Sequence, residues 1–181
     1  MMTFRFCFVV LLLAFVPEAQ AQKIVKQFDI KMPVYDGLPK AEFEETTDLI
    51  VDDSQPDPAL RFQIRIPKGW IDSNADADQN IVMSTAVLGS LRKFYGPASL
   101  SGRSTFDVSV SGLDYNMTAY QWLIDFLLKS GYNAQGIKKI DDRSVEALYV
   151  FIKNDRTYVA RSVVRINGKH AVMASYYMPV E

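Results

Sequence analysis

Between residues 116 and 131, NMTAYQWLIDFLLKSG, apolar side chains recur at helical spacing. Tyr120, Leu123, Ile124, Leu127 and Leu128 fall on one stripe, and Trp122 and Phe126 widen it. Thr118 and Gln121 have the spacing of a capping box, in which each side chain satisfies a backbone N–H of the first turn. Lys129 stands near the negative end of the helix dipole, and Gly131 is placed to take the left-handed conformation that ends a helix. A helix this apolar has to lie against a sheet or another helix.

Much of the remaining chain alternates with period two, the mark of a half-buried strand. In 23–32, Phe28, Ile30 and Met32 oppose Gln27, Asp29 and Lys31. In 60–67, Leu60, Phe62, Ile64 and Ile66 oppose Arg61, Gln63 and Arg65, and in 103–113, Phe106, Val108 and Val110 oppose Asp107, Ser109 and Ser111. Stretch 38–51 reads both ways: Glu42, Glu44 and Glu45 suit a helix, Thr46, Thr47, Ile50 and Val51 a strand. Residues 52–58 form a Pro-rich loop, 81–83 a short strand and 133–140 an extended connector or edge strand. In 84–96, Val87, Leu88, Leu91, Phe94 and Tyr95 share a helical face before the Gly96-Pro97 stop, so a second helix is expected there, although Gly89 weakens it and leaves a strand open.

Three β-rich runs close the chain, at 145–152, 157–166 and 169–178. Asn167 and Gly168 separate the last two and match a two-residue type I′ turn. That turn places Val164 opposite Ala171, Ser162 opposite Met173, Ala160 opposite Ser175 and Tyr158 opposite Tyr177. On the other side Arg165 meets His170, Val163 meets Val172, Arg161 meets Ala174 and Val159 meets Tyr176. The small residues of the first face admit a helix, and 116–131 is expected there, with 84–96 covering part of the second. The fold class expected is α+β, an antiparallel sheet flanked by helices on both sides and closing with a three-strand meander.

The first residues read as an address. Arg5, the apolar run 6–16 and Ala19-Gln20-Ala21 fit a secretory signal peptide cut before Gln22. The run is shorter than the roughly 20 residues a membrane span needs. Residues 22–59 are then an N-terminal strand and linker region and 60–181 the core, one domain over 22–181. The single Cys, Cys7, lies in the apolar run, so the exported chain has neither disulfide nor thiol chemistry. Net charge is −1 and the basic residues form no block, which argues against nucleic acid as a partner.

Phe62-x-Ile64-x-Ile66-Pro67-x-Gly69-Trp70, followed by one long helix and a closing meander, resembles the PsbP-like α/β/α sandwich superfamily, which includes exported bacterial proteins of the DcrB type. The resemblance spans roughly 60–178 as an order of elements. It implies a non-enzymatic binding or scaffold protein of the cell envelope. The pattern departs from the family in two places: no segment after Pro179 matches the further C-terminal helix many members carry, and 84–96 has no counterpart.

Chemistry-bearing motifs are sparse. Asp72 to Asp78 spaces oxygen ligands like a calcium loop, but Ala77 replaces the turn Gly and Met83 the bidentate Glu, so a solvated acidic loop is the better reading. His170 is the only His, which argues against a zinc or copper site. It sits just after a hairpin, where an exposed strand-start residue is expected, and no G-x-S-x-G nucleophile elbow exists. No phosphate-binding glycine loop occurs, and no cofactor is expected. Asn116-Met117-Thr118 matches a glycosylation sequon, with helix capping as its other role. Arg161, Arg165, His170 and Tyr176 share one expected sheet face and form a candidate anion or partner patch, or else a solubilising surface in which Arg stems cover apolar area. The functional expectation is an exported binding or assembly protein partnered with another envelope protein. The alternatives are a periplasmic inhibitor or immunity-type protein and a hydrolase using carboxylates only.

Overall fold

The structure is a computed structural model and describes residues 31–32, 37–73 and 89–180. Strands β1 (Thr47–Asp52) and β2 (Phe62–Pro67) pair as a separate two-stranded sheet. Strands β3 (Ile71–Asp72), β4 (Gly89–Ala98), β5 (Arg103–Gly112), β6 (Asn133–Lys139), β7 (Ser144–Lys153), β8 (Arg156–Asn167) and β9 (His170–Pro179) form a seven-stranded antiparallel sheet in the order β3-β4-β5-β9-β8-β7-β6. Helix α1 is Lys40–Thr46 and α2 is Ala119–Ser130.

Helix α2 begins and ends as its residues dictate. The Thr118 hydroxyl accepts from the Gln121 N–H at 3.2 Å, and the Gln121 side chain accepts from the Thr118 N–H at 2.9 Å. Gly131 closes it at φ 66°, its N–H reaching the carbonyls of Leu127 and Leu128. Ala119, Trp122, Leu123, Ile124 and Leu127 are buried, while Leu128 is exposed, so the buried stripe is turned toward Trp122. It packs on one sheet face, here the helix face, against Val145, Ala147, Tyr149, Ala160, Val164, Ala171 and Met173. Small residues at 147, 160 and 171 let the helix approach closely.

Part of the opposite face, over β4 and β5, is covered by a hairpin, and the expected α/β/α sandwich is not formed. Segment 89–98 is strand β4; residues 84–88, like the 81–83 strand and most of the 23–32 and 72–78 motifs, lie outside the described residues. The physical reason is a β-bulge. Ser90 pairs with Ser109 and Arg92 with Val108, leaving Leu91 as the extra residue. Leu91 and Phe94 are therefore buried three apart, which imitates helical spacing. Leu91 packs instead with Leu60, Val108 and Val110, joined by Phe62, Ile64, Phe106 and Val172. Helix α1 buries none of its residues. Among the described residues the fold is thus mostly β, with one packed helix on one face and the β1–β2 hairpin on part of the other.

Stretch 38–51 is both things its residues suggested, a helix to Thr46 and a strand from Thr47. Leu60 belongs to a 3-10 turn, Pro58–Leu60, rather than to β2. Strand β6 is a sheet edge, bridged in parallel by Lys31 to Ile137. At Gly136 an added Cβ would lie 3.0 Å from Met32, so glycine admits that close backbone approach.

Hairpin β8–β9 turns one residue later than expected. Asn167 pairs with His170, leaving Gly168 and Lys169 as the central residues, and Gly168 alone has positive φ, 59°, the pattern of a type II′ turn. Val164 therefore pairs with Met173 and Ile166 with Ala171. The slip is two positions, so each side chain keeps its expected face. The turn with two positive φ values is Asn154-Asp155, between β7 and β8.

Candidate functional site

Arg161, Arg165, His170 and Tyr176 do share the hairpin face, but they divide into two settings. Arg161 and Tyr176 are direct cross-strand neighbours. Arg161 Nε donates to Glu146 Oε1 at 2.6 Å, and the Tyr176 hydroxyl reaches Ser104 Oγ at 3.3 Å. Arg165 lies opposite Val172 and is exposed. His170 is only partly exposed, contrary to the expectation for a strand start, because loop 53–57 lies against it. Its Nε2 is 2.9 Å from Asp57 Oδ2, and its Nδ1 is buried with no hydrogen-bond partner among the described residues. The Ala59 N–H, and then His170, hold the Asp57 carboxyl below its ordinary value. Asn167 Nδ2 donates to the Ala59 carbonyl at 2.7 Å beside it. His170 is thus a clasp between the hairpin layer and the sheet.

Around Arg161 and Arg165 the hairpin face is open and apolar. Leu148, Val150 and Ile152 from β7, Val159 and Val163 from β8 and Met178 from β9 all point to it by register. Ile152 is 74% exposed, Val163 40% and Met178 41%. Toward β4 the same face is closed by Trp70. Its delivery explains the Pro67-x-Gly69-Trp70 motif: Gly69 has φ 79°, and the Trp70 N–H returns to the Pro67 carbonyl, a type II turn. The indole then lies 6.0 Å from the Tyr176 ring and over Gly96, where an added Cβ would meet it at 3.0 Å.

A second tie holds two carboxylates on one cation. Arg92 on β4 bonds Asp72 Oδ2 at 2.6 Å and Asp52 Oδ2 at 3.3 Å. Burial by itself would raise the Asp52 carboxyl, but the Ser54 hydroxyl and N–H, with the Arg92 charge, outweigh it and keep it below its ordinary value. Ser54 Oγ donates to Asp52 Oδ1 at 2.6 Å. These carboxylates are hydrogen-bond and charge partners of one guanidinium.

The helix face carries a polar row where an apolar floor would be expected. Lys93, Asp107, Ser175 and Ser162 are successive cross-strand partners through β4, β5, β9 and β8. Asp107 accepts from Ser90 Oγ at 2.7 Å and from Ser109 Oγ at 3.0 Å. The hydroxyls of Tyr149, Ser162 and Ser175 form a chain, at 3.0 and 2.7 Å. Ser109, Ser162 and Ser175 are buried. Beside the row stand stacked and edge-on rings: Tyr132 on Tyr149 at 5.4 Å, Tyr132 on Phe151 at 4.9 Å and Phe151 against Tyr177 at 5.8 Å. Burial, and then the Asp107 charge, push the Tyr177 phenol up to about 12. The alternation of β5 was visible in the sequence, but not that its polar side, Asp107-x-Ser109, turns inward.

No group of His, Cys, Asp and Glu among the described residues has the arrangement of a metal site. No helix among them is long and apolar enough to cross a membrane. No protein-family model matches the chain, and no curated protein does. Among solved structures, the Pseudomonas aeruginosa protein PA94, of unknown function, is similar over 73% of this chain and 82% of that chain, with 12% sequence identity and a TM-score of 0.44. A likeness at that level carries no argument about this chain's activity.

Proposed function

We propose that this chain is an exported, non-enzymatic binding or assembly protein of the cell envelope, docking another protein on the open half of its hairpin face. The observation that carries the reading is the apolar field of Ile152, Val163 and Met178 with Arg161 and Arg165 set in it. Large exposed apolar side chains gathered on one sheet face are the usual mark of an interaction surface. The exposed Arg165 in that field, beside the Arg161–Glu146 pair, favours a partner with an apolar centre and an acidic residue at its rim. Export rests on the leader-like residues 1–21. A carboxylate-only hydrolase has less support, since Asp52 and Asp72 share Arg92 and Asp107 is bonded by two serines.

The test compares capture from envelope extract by the wild-type chain and by Ile152→Glu/Val163→Glu. A stoichiometric protein held by the wild type and lost by the double variant, with an unchanged melting temperature, is expected. Arg161→Ala/Arg165→Ala should weaken its capture most at low salt, where screening is least. Equal capture by wild type and both variants would reject the surface. Mass spectrometry of the exported protein should find Gln22 at the N-terminus; a chain still starting at Met1 would reject cleavage.

A further inference from the structure

We propose that the cleft on the helix face, between the polar row and the ring cluster, binds a small neutral polyhydroxylated ligand of the carbohydrate class. The cleft encloses about 270 Å³ and is lined on one side by Asp107, Ser90, Ser109 and Ser175 and on the other by Tyr132, Phe151 and Tyr177. Lys93 and Lys153 also line it. Ligand pockets usually measure about 300–1,000 Å³, so this one suits a single sugar ring or short polyol.

The chemistry of the lining selects the ligand. Asp107 is an acceptor only, and each of its oxygens retains a lone pair after the serine bonds. Of the Tyr149, Ser162 and Ser175 hydroxyls, those of Tyr149 and Ser175 line the cleft and keep lone pairs for a ligand. The lysines are donors only. A sugar hydroxyl both donates and accepts, so a polyol can satisfy all three kinds of group. The lining carries both signs, Lys93 and Lys153 against Asp107, so a neutral ligand meets no uncompensated repulsion. The rings supply apolar area for the C–H side of a sugar ring. Buried polar side chains cost stability unless they are bonded. Here the buried Ser109, Ser162 and Ser175 are bonded, and the half-buried Asp107 and Lys93 continue the row beside open space, an arrangement suited to a recognition floor.

The site lies on the side of the sheet opposite the docking surface, so the two readings stand or fall separately. The probes are D-glucose, N-acetylglucosamine and sorbitol, with tetramethylammonium chloride and sodium sulfate as charged controls, followed by tyrosine fluorescence and by amide shifts of β5 and β9. At least one neutral probe should give a saturable response, with a dissociation constant on the order of a millimolar or tighter. Asp107→Asn should weaken it by about tenfold or more, the usual effect of losing a charged hydrogen-bond partner. Phe151→Leu should weaken it without touching the polar row, which keeps the test decisive should the Asp107 variant fold poorly. Ile152→Glu, on the other face, should leave it unchanged. No saturable response to any of the three neutral probes would overturn the assignment. So would stronger binding of tetramethylammonium or sulfate, or a sugar response that survives both cleft variants undiminished.

Discussion

Gly168 and Asp155 sit in turns of opposite demand. Gly168 has φ 59° and open space around its α-carbon, so the backbone alone decides what it tolerates. Gly168→Val should lower stability by about 1–3 kcal/mol, the scale for a residue held in a sparsely populated region. A denaturant midpoint unchanged by that substitution would mean that the turn changes type at little cost. Asp155 has φ 58° next to Asn154 at 50°, in the type I′ turn that prefers Asn-Gly. Asp155→Gly should therefore raise stability by up to about 1.5 kcal/mol. Relief of a left-handed Cβ is worth about 1–2 kcal/mol, and the added freedom of the unfolded chain takes back about 0.4–1 kcal/mol. Tyr177 gives a pH prediction. Its phenol titrates near 10 in the unfolded chain and at about 12 in the fold. Between those values the unfolded chain has lost the proton that the folded chain keeps, so stability falls as pH rises from 10 toward 12. Tyr177→Phe should flatten the melting temperature across that window; an equally steep decline in the variant would assign the alkaline loss to other groups.

At the scale of elements, α2 was the most legible part of the chain. Its start, stop and apolar stripe follow from local rules, and only its rotation needed the sheet: Leu128 lies on the stripe by spacing but is exposed, because Trp122 and Phe126 take the buried side. Leu123, fully buried at the centre of that contact, should lose about 2–5 kcal/mol on Leu123→Ala, measured by chemical denaturation. A loss below about 0.5 kcal/mol, typical of surface positions, would place the stripe away from the sheet. Strand β4 was the least legible. A bulge at Leu91 turned a period-two pattern into an apparent period near three, and periodicity cannot see a bulge because the compensating partner lies on another strand. The β8–β9 turn was misplaced by one residue for a related reason: Asn-Gly is a strong local signal, but pairing along ten residues outweighs one turn preference.

The described residues form two apolar clusters on opposite faces, offset along the sheet. One joins α2 to β6–β9, and the other joins the hairpin layer to β4 and β5. Arg92 with Asp52, and His170 with Asp57, fasten the second layer at its borders. Leu60→Ala should accordingly expose β1 and β2 to hydrogen exchange well before α2 and β7, since local opening follows local packing. Uniform loss of protection across both clusters would show them to be a single cooperative unit. The candidate patch residues were placed on their common face from the sequence, but their partners were not. Asp57 lies 113 residues from His170, and Glu146 reaches Arg161 across strands, distances over which spacing carries no information.

The amino-acid sequence by itself determined the helix at 119–130, the three closing strands and the face each side chain takes, because capping and two-fold or 3.6-fold periodicity are local. Only the tertiary structure decided that β5 turns Asp107 and Ser109 inward, that β9 lies beside β5 at the sheet centre, and that a hairpin rather than a helix covers part of the second face. Those outcomes depend on which strands pair and on one extra residue in β4. Pairing is set by the summed burial of both partners, a property no single segment possesses.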